Sequence, residues 1–325
     1  MSTTTTPVTA DAEPHIHCED MVRIFSTEGV EVQALQGLNL RVDAGEMVAL
    51  IGASGSGKST LLTILSGLDT PTAGSVRVAG HDLLAMKRAE RVQYQRHTVG
   101  FVWQQASSNL LPYLSAVENV CLPMAITGRA GRLERADQLL RVLDIEHCRD
   151  RTPAQMSGGE QQRAAIAVAI ANSPTVILAD EPTGELDEAT SADVLEAMRS
   201  VNEELGITTL IVTHDPSVSE HVRRAVQMRD GRCSTEVLRR TETDEAGEES
   251  HIAEEFAVID RVGRMQLPQD FMSTLGLRER VRLGLEPDHV RVSPATPAAD
   301  AKAGAEAADS ADDKDAAPNN QEDRK

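Results

Sequence analysis

Short, continuous apolar runs punctuate the first 240 residues of the chain. They lie at residues 47–51, 98–103, 176–179 and 208–212, and polar or glycine residues follow each of them. Runs of this length are typical of parallel strands that are buried on both faces. Residues 59–65, shortly after the first run, read as a helix. The pattern therefore predicts an α/β fold built on a parallel sheet.

A glycine-rich segment with the sequence GASGSGKST follows the first apolar run. Glycine tolerates a positive φ, so the backbone can wrap inward and direct successive N–H groups at one anion. The N-terminus of the next helix adds partial positive charge at the same point. This arrangement predicts a loop that binds the phosphates of ATP, formed by Gly52, Ala53, Ser54, Gly55, Ser56, Gly57, Lys58, Ser59 and Thr60. We expect Lys58 to reach the β- and γ-phosphates and the Ser59 hydroxyl to ligate Mg²⁺.

Two carboxylates, Asp180 and Glu181, end the apolar run at residues 176–179. The carboxyl edge of a parallel sheet is where α/β folds bind ligands. An isolated run of this kind is more often a strand that ends in solvent, but the phosphate loop upstream favours a functional interpretation. Asp180 is then placed to hold Mg²⁺ through its water shell, and Glu181 to polarise the attacking water.

A second motif, MSGGEQQR, occupies residues 156–163. Ser157 is predicted to cap a helix over residues 161–171, while Gly158 and Gly159 keep the approach to its N-terminus unobstructed. A helix N-terminus binds phosphate. The phosphate bound by the first helix of the same chain cannot also be the one bound here, so a second copy of the domain must supply the phosphate for this helix. The motif predicts a composite ATP site shared between two protomers.

These motifs, in this order, resemble those of the ATP-binding subunits of ABC transporters over residues 16–240. The resemblance implies a P-loop NTPase core with a parallel sheet, an antiparallel β-subdomain and a helical signature subdomain. It implies an ATP hydrolase that uses Mg²⁺, with Glu181, His214 and Lys58 as catalytic residues. It further implies that Phe25 stacks on adenine, that Gln104 contacts Mg²⁺ and relays to the membrane partner, and that Asp187 belongs to the D-loop. Mg²⁺ would also be ligated by Ser59 and Asp180. ATP would be bound in trans by the signature residues Ser157, Gly158, Gly159, Glu160 and Gln161.

Simpler interpretations remain open for single residues. Phe25 could belong to the core, Gln104 could be an ordinary surface glutamine, and His214 alone could be a structural histidine. Gln104 and His214 each follow an apolar strand, so both are expected at the same crevice as Asp180. Glu185 stands where the resembled family often has a small residue or asparagine, which suggests altered communication between the two sites.

Within this family, residues 32–38, 110–120 and 178–184 resemble the ATPases of the MacB, LolD and FtsE type. The resemblance implies a homodimer that drives a separate, FtsX- or MacB-like integral-membrane permease in a transporter or an envelope mechanotransmission complex. The sequence shows no apolar stretch long enough to span a membrane, and its Thr-rich, then acidic first residues are not those expected of a signal peptide. We therefore expect a cytoplasmic protein, bound to the inner face of the plasma membrane through its permease.

Composition limits the remaining possibilities. The net charge of −19 over 325 residues argues against a general nucleic-acid binder. The four cysteines lie far apart without metal-site spacing, which is typical of reduced, structural thiols.

The chain is expected to divide into a disordered N-terminus (1–14), the ATPase domain (15–240), an acidic linker (241–252), a small folded module (253–293) and a disordered acidic tail (294–325). The module is predicted to be β-rich, in the order strand, glycine-containing turn, strand ending at Pro268, short helix and hairpin. It resembles the SpoVT/AbrB looped-hinge type, mainly through residues 263–268 and 275–277, and the resemblance implies that two copies interleave their hairpins into one small barrel. The small size of the module favours dimerisation or docking. Many such modules bind DNA, so an ABC ATPase coupled to transcriptional control is the alternative, although this module lacks a basic face. A soluble ABC ATPase of DNA repair or translation is a third interpretation, but the insertions usual in such proteins are not visible.

Overall fold

The computed structural model describes residues 13–27, 29–243, 249–260, 262–277 and 281–294. Nearly all of the expected disordered ends, 1–14 and 294–325, and residues 244–248 of the expected linker lie outside this part. The described residues divide into two compact units, one up to Gln266 and one from Leu267 onward.

The regular elements alternate along most of the chain. The strands are β1 (Ile16–Thr27), β2 (Val30–Val42), β3 (Met47–Ile51), β4 (Ala73–Val78), β5 (His81–Asp82), β6 (Val99–Val102), β7 (Val176–Asp180), β8 (Thr208–Thr213), β9 (Arg224–Arg229), β10 (Arg232–Thr243), β11 (Glu249–Ala257), β12 (Val281–Leu285) and β13 (Val290–Pro294). The helices are α1 (Lys58–Leu65), α2 (Arg88–His97), α3 (Ala116–Ile126), α4 (Arg132–Val142), α5 (Gly158–Ile170), α6 (Glu188–Leu205) and α7 (Gln269–Thr274).

The central sheet has seven strands in the order β11-β10-β9-β3-β8-β7-β6. The five strands from β9 to β6 are mutually parallel, whereas β10 and β11 are antiparallel additions. All residues of β3 and β8 are buried, in agreement with the continuous apolar runs. The predicted parallel sheet is confirmed, and the carboxyl ends of β3, β6, β7 and β8 share one edge.

A second, antiparallel sheet has the order β2-β1-β4-β5. Its inner face shares one hydrophobic cluster with α1 and with one face of the central sheet, through residues such as Met21, Leu38, Leu61 and Leu210. This confirms the expected antiparallel β-subdomain. The cluster holds α1, and with it the loop that precedes α1, against β1 and β2.

Helices α3, α4, α5 and α6 pack on the other face of the central sheet around a second cluster. Small residues of α5, among them Ala164 and Ala167, are fully buried there. Helix α5 begins at Gly158 with Ser157 as its N-cap, as predicted for the signature segment.

The C-terminal part differs from expectation. Strand β11, which includes residues expected in the linker and at the start of the module, pairs with β10 and extends the central sheet. Residues 262–268, expected to contain the glycine turn and the strand that ends at Pro268, form turns and irregular structure. An added strand satisfies the backbone groups along the long edge of β10, which explains why it forms despite the acidic composition. The described residues therefore do not reproduce the expected looped-hinge order, although α7 and the β12–β13 hairpin lie where a helix and a hairpin are predicted.

Within the described residues, no helix combines the length and the apolar character needed to cross a lipid bilayer.

Candidate functional site

The loop between β3 and α1 wraps around a point in front of the helix N-terminus. Gly55 and Gly57 have φ values of 79° and 101°, and Gly57 is the N-cap of α1. Gly52 is different, because a Cβ atom there would lie 2.4 Å from the Met228 carbonyl oxygen. The first glycine is thus needed for space next to β9, whereas the other two supply the positive φ that the sequence predicts for all three.

Lys58 is held inside this loop. Its Nζ donates hydrogen bonds of 2.7 and 2.9 Å to the carbonyl oxygens of Gly52 and Ala53. Burial lowers the pKa of the Lys58 ammonium, while the Glu181 and Asp180 carboxylates oppose that shift. The ammonium therefore lies inside the loop, where the charges of both carboxylates act on it.

Asp180 ends β7 at the same edge of the sheet. Burial and the adjacent charge of Glu181 raise the pKa of the Asp180 carboxyl, while Lys58 and a hydrogen bond with Ser59 oppose the shift. Two carboxylates against one ammonium leave an excess of negative charge at this edge. Hard oxygen donors, such as Asp180 and the Ser59 hydroxyl, suit Mg²⁺. The residues at this edge therefore fit a bound Mg²⁺.

Glu181 lies just beyond the strand, in a left-handed conformation with φ of 46°. Its N–H donates to the Val212 carbonyl at 2.7 Å, and its carbonyl accepts from Gly184 N–H at 3.0 Å. A positive φ is uncommon outside glycine and is found where surrounding structure enforces it. The turn directs the Glu181 side chain back across the ends of the strands.

His214, which follows β8, meets Glu181 directly. Its Nδ1 lies 2.9 Å from Glu181 Oε2. Gln104 follows β6 and reaches the turn at residues 181–184. Its Nε2 lies 3.3 Å from the position that a Cβ atom would take if Gly184 carried a side chain. The structure thus brings Lys58, Ser59, Asp180, Glu181 and His214 together, with Gln104 beside them.

The signature residues form a separate structure at the start of α5. The Ser157 hydroxyl accepts from Glu160 N–H at 3.3 Å, and Glu160 Oε2 accepts from Ser157 N–H at 2.7 Å. Hydrogen bonds from the Ser157 N–H, the His147 ring and the Cys148 thiol to the carboxylate lower the pKa of Glu160 to about 2. Among the hydrogen bonds and ion pairs of the described residues, none joins 157–161 to 52–60.

The two signature glycines have neighbours within the same chain. A Cβ on Gly158 would lie 3.1 Å from Leu186 Cδ2, and one on Gly159 would lie 2.4 Å from Thr190 Cγ2. The expectation that these glycines only keep an approach clear is therefore incomplete, because they also allow α5 to contact the start of α6. Asp187 is the N-cap of α6 and accepts hydrogen bonds from Thr190.

A group of metal-ligating side chains lies next to the signature. Donor atoms of His147, Cys148 and Glu160 lie within 4.8 Å of one another. However, a nitrogen of Arg151 lies 3.9 Å from Glu160 Oε1, and the positive N-terminus of α5 is adjacent. This local positive charge opposes binding of a cation, so we interpret the group as a hydrogen-bonded anchor for the signature.

Phe25 lies on β1 and its ring is partly exposed, at 40% of the accessible area of the residue. The Arg23 guanidinium carbon is 4.4 Å from the ring centroid. The guanidinium covers one face of the ring, and the exposure of the residue excludes the interpretation of Phe25 as an ordinary core residue.

Sequence reasoning missed several contacts. Gln105 Nε2 donates to Glu185 Oε1 at 3.1 Å, so the segment after β6 is joined to the segment before α6. Arg23 was also missed, although its spacing of two residues from Phe25 places both side chains on one face of a strand. The Gln105–Glu185 contact has no comparable signal, because it depends on how two loops fold.

The family described as ABC transporter matches residues 35–184. Over 215 residues the chain is 43% identical to the lipoprotein-releasing system ATP-binding protein LolD of Geobacter metallireducens, covering 66% of this chain and 95% of that protein. The chain belongs to the ABC transporter ATPase family. Its ATP-hydrolysing domain is the α/β cassette described above.

Other similar proteins differ in their extent. The chain is 45% identical over 221 residues to the macrolide export ATP-binding/permease protein MacB of Syntrophobacter fumaroxidans, but it spans only 30% of that protein. A dimeric structure of the ATP-binding cassette MJ0796 with ADP and Pi has a TM-score of 0.61 and 37% identity, and the match covers 68% of this chain and 97% of that one. These ABC cassettes share the fold and the family of the chain.

Proposed function

We propose that the protein is the ATP-binding subunit of an ABC transporter or envelope mechanotransmission complex, and that two copies hydrolyse ATP at their interface to drive a separate permease. The observation that carries this proposal is the convergence of Lys58, Asp180, Glu181 and His214 at the phosphate loop, with a Glu181–His214 distance of 2.9 Å. A phosphate loop beside two acids and a base at one sheet edge supports phosphoryl transfer to water.

In this proposal Glu181 orients the attacking water and accepts its proton. The water oxygen bonds to the γ-phosphorus as the bond to the ADP oxygen breaks, which yields ADP and phosphate. Lys58 offsets the negative charge that develops on the phosphate oxygens, and His214 holds Glu181 in place and contacts the γ-phosphate. Mg²⁺, when held by Ser59, Asp180 and Gln104, neutralises phosphate charge and orients the nucleotide.

The second half of the site comes from a partner copy. The N-terminus of α5 with Ser157, Gly158 and Gly159 would bind the γ-phosphate held by the other chain. The described residues of this motif make their hydrogen bonds and ion pairs elsewhere than to the phosphate loop of their own chain, which supports that arrangement. The dimeric state of the similar cassette with ADP and Pi also supports it.

The permease is proposed from the relatives. LolD proteins are named as ATP-binding proteins of a lipoprotein-releasing system, and MacB proteins as ATP-binding/permease proteins. We propose a permease of the MacB or FtsX type, which would place the protein at the inner face of the plasma membrane. The loop after β6, which contains Gln104, would transmit the movement of dimer closure to the helices of that permease.

The substitution Glu181→Gln tests the chemistry. We expect it to retain ATP binding and to reduce hydrolysis on the order of 10²- to 10⁴-fold, because a positioned base is lost. ATP should then hold the protein as a closed dimer, which sedimentation velocity can detect as an ATP-dependent rise in the sedimentation coefficient, alongside a phosphate-release assay.

Lys58→Ala is the matched control, because it removes charge-assisted bonds to the phosphates and should weaken ATP binding itself. Near-normal turnover by the Glu181→Gln variant would remove Glu181 from the proposed role. Full hydrolysis by wild-type protein that remains monomeric at high dilution would contradict the shared site.

A further inference from the structure

Arg23 connects the Phe25 ring to the segment that follows α1. Its Nε lies 2.8 Å from Asp69 Oδ2, and both side chains are mostly buried, at 22% and 24% exposure. The same guanidinium covers one face of the Phe25 ring, with its central carbon 4.4 Å from the ring centroid. Arg23 therefore contacts a partly exposed aromatic ring and a buried anion at the same time.

Asp69 is in turn joined to α1. The Asp69 N–H donates to the Thr63 carbonyl in α1 at 3.2 Å. The other carboxylate oxygen, Asp69 Oδ1, accepts from Thr70 N–H at 2.8 Å, so the side chain is held on both sides. Because α1 begins at the phosphate loop, the series Phe25, Arg23, Asp69, α1 joins the ring to that loop.

Hydrogen bonds that do not involve Arg23 hold β1 and the segment after α1 side by side. The Thr72 hydroxyl accepts from Ile24 N–H at 3.0 Å, and Thr72 N–H donates to the Val22 carbonyl at 2.8 Å. The position of β1 relative to α1 is thus set without Arg23. The side chain of Arg23 has the more specific effect of limiting where the Phe25 ring can lie.

Resting on the proposed ATP hydrolysis, we infer that Arg23 is a positioning residue that holds Phe25 as a platform for the purine base. With the guanidinium on one face, the base stacks on the opposite face, and the three planar groups form a layered arrangement. The cation–π contact supports the ring from behind, and the Asp69 ion pair fixes the guanidinium. Arg23 therefore acts on the base of the nucleotide and not on its phosphates.

The test separates the base from the phosphates. Steady-state hydrolysis is measured for the full-length wild type and for Arg23→Met, a side chain of similar length without charge. Inorganic tripolyphosphate, which has no base, serves as a competitive inhibitor of the same site. We expect Arg23→Met to raise the KM for ATP roughly two- to five-fold, the scale of one cation–π contact. The kcat and the inhibition constant of tripolyphosphate should stay close to those of the wild type.

A double-mutant comparison checks that the effect passes through the ring. In a Phe25→Ala background, Arg23→Met should raise the KM for ATP no further, since the platform is already absent. Arg23→Lys, which keeps the charge but not the planar fork, should fall between wild type and Arg23→Met.

The opposing results are distinct. Equal weakening of ATP and tripolyphosphate, an unchanged KM, or additive effects in the Phe25→Ala background would each overturn the role of Arg23. Failure of the wild type to bind or hydrolyse ATP would instead overturn the proposed function itself.

Discussion

Glu160 stabilises the start of the signature helix through both of its oxygens. One oxygen accepts from Ser157 N–H at 2.7 Å, and the other lies 2.7 Å from His147 Nε2. The resulting pKa of about 2 lies below the ordinary value of 4.5. A carboxylate with a depressed pKa in the folded state stabilises the fold above its unfolded pKa, and this contribution is lost as the pH falls toward the folded value.

This gives a prediction for Glu160→Gln, which keeps the capping geometry but removes the charge. The variant should be less stable than wild type at neutral pH, and the difference should shrink as the pH falls from about 4.5 toward about 2. Urea unfolding midpoints across that range measure it. Glu203→Gln on the exposed face of α6 is the control for loss of one negative charge. A stability difference that does not change with pH would contradict the assignment.

The positions of single residues were predictable where a strand end placed them. Lys58, Asp180 and His214 each follow or end an apolar run, so their meeting at one sheet edge could be inferred. The direct Glu181–His214 contact could not, because it depends on the left-handed turn at Glu181 and on β7 lying beside β8. For Arg23, the sequence offered only its two-residue spacing from Phe25, which places both side chains on one face of a strand.

At the level of elements, two glycines at the N-terminus of α5 allow it to contact the start of α6. The position of a Cβ on Gly159 lies 2.4 Å from Thr190 Cγ2. Thr190 cannot move freely, because its hydroxyl and its N–H both donate to Asp187. Glycine at position 159 is therefore required by the fold of one chain as well as by the proposed partner site.

The prediction concerns Gly159→Ala alone and together with Thr190→Ser. The single variant should lose about 1–3 kcal/mol of stability through overpacking. Thr190→Ser removes the clashing methyl group and keeps the hydroxyl bonded to Asp187, so the double variant should regain most of that stability.

ATPase activity separates the two requirements at Gly159. If the residue also faces the phosphate held by a partner, the double variant should remain poorly active although it is stable. Thermal unfolding and phosphate release, measured on the same samples, decide this. Activity that returns together with stability would limit Gly159 to a packing role.

Element prediction succeeded where side chains decide the structure and failed where the backbone does. Helix α5 and strands β3, β6, β7 and β8 follow from capping and apolar runs, and all were predicted. Strand β11 was missed, because its acidic sequence reads as a linker while its pairing with β10 is made by backbone groups. Composition carries little information about such an added edge strand.

At the scale of the whole molecule, the second unit presents an apolar surface. In the β12–β13 hairpin, Val281, Leu283 and Leu285 alternate with Arg282 and Gly284, so the apolar side chains share one face. Their partners on β13 include Val290 and Val292 on the same face. Leu283 and Leu285 are 67% and 88% exposed. A two-stranded hairpin is marginally stable by itself in water, so this face is expected to be covered.

We predict that a second copy of the chain covers this face and holds two subunits together without ATP. Leu283→Ser with Leu285→Ser should then convert a nucleotide-free dimer to a monomer, as measured by sedimentation velocity, while ATP binding by each subunit persists. Tethering through the second unit raises the effective concentration of one cassette near the other toward the millimolar range. The ATPase activity of the double variant should consequently be lower than that of the wild type at low protein concentration. It should approach the wild-type activity at high concentration, because the cassettes can still meet by diffusion. A wild-type protein that is monomeric without ATP, or a variant whose activity is independent of concentration, would contradict the tether.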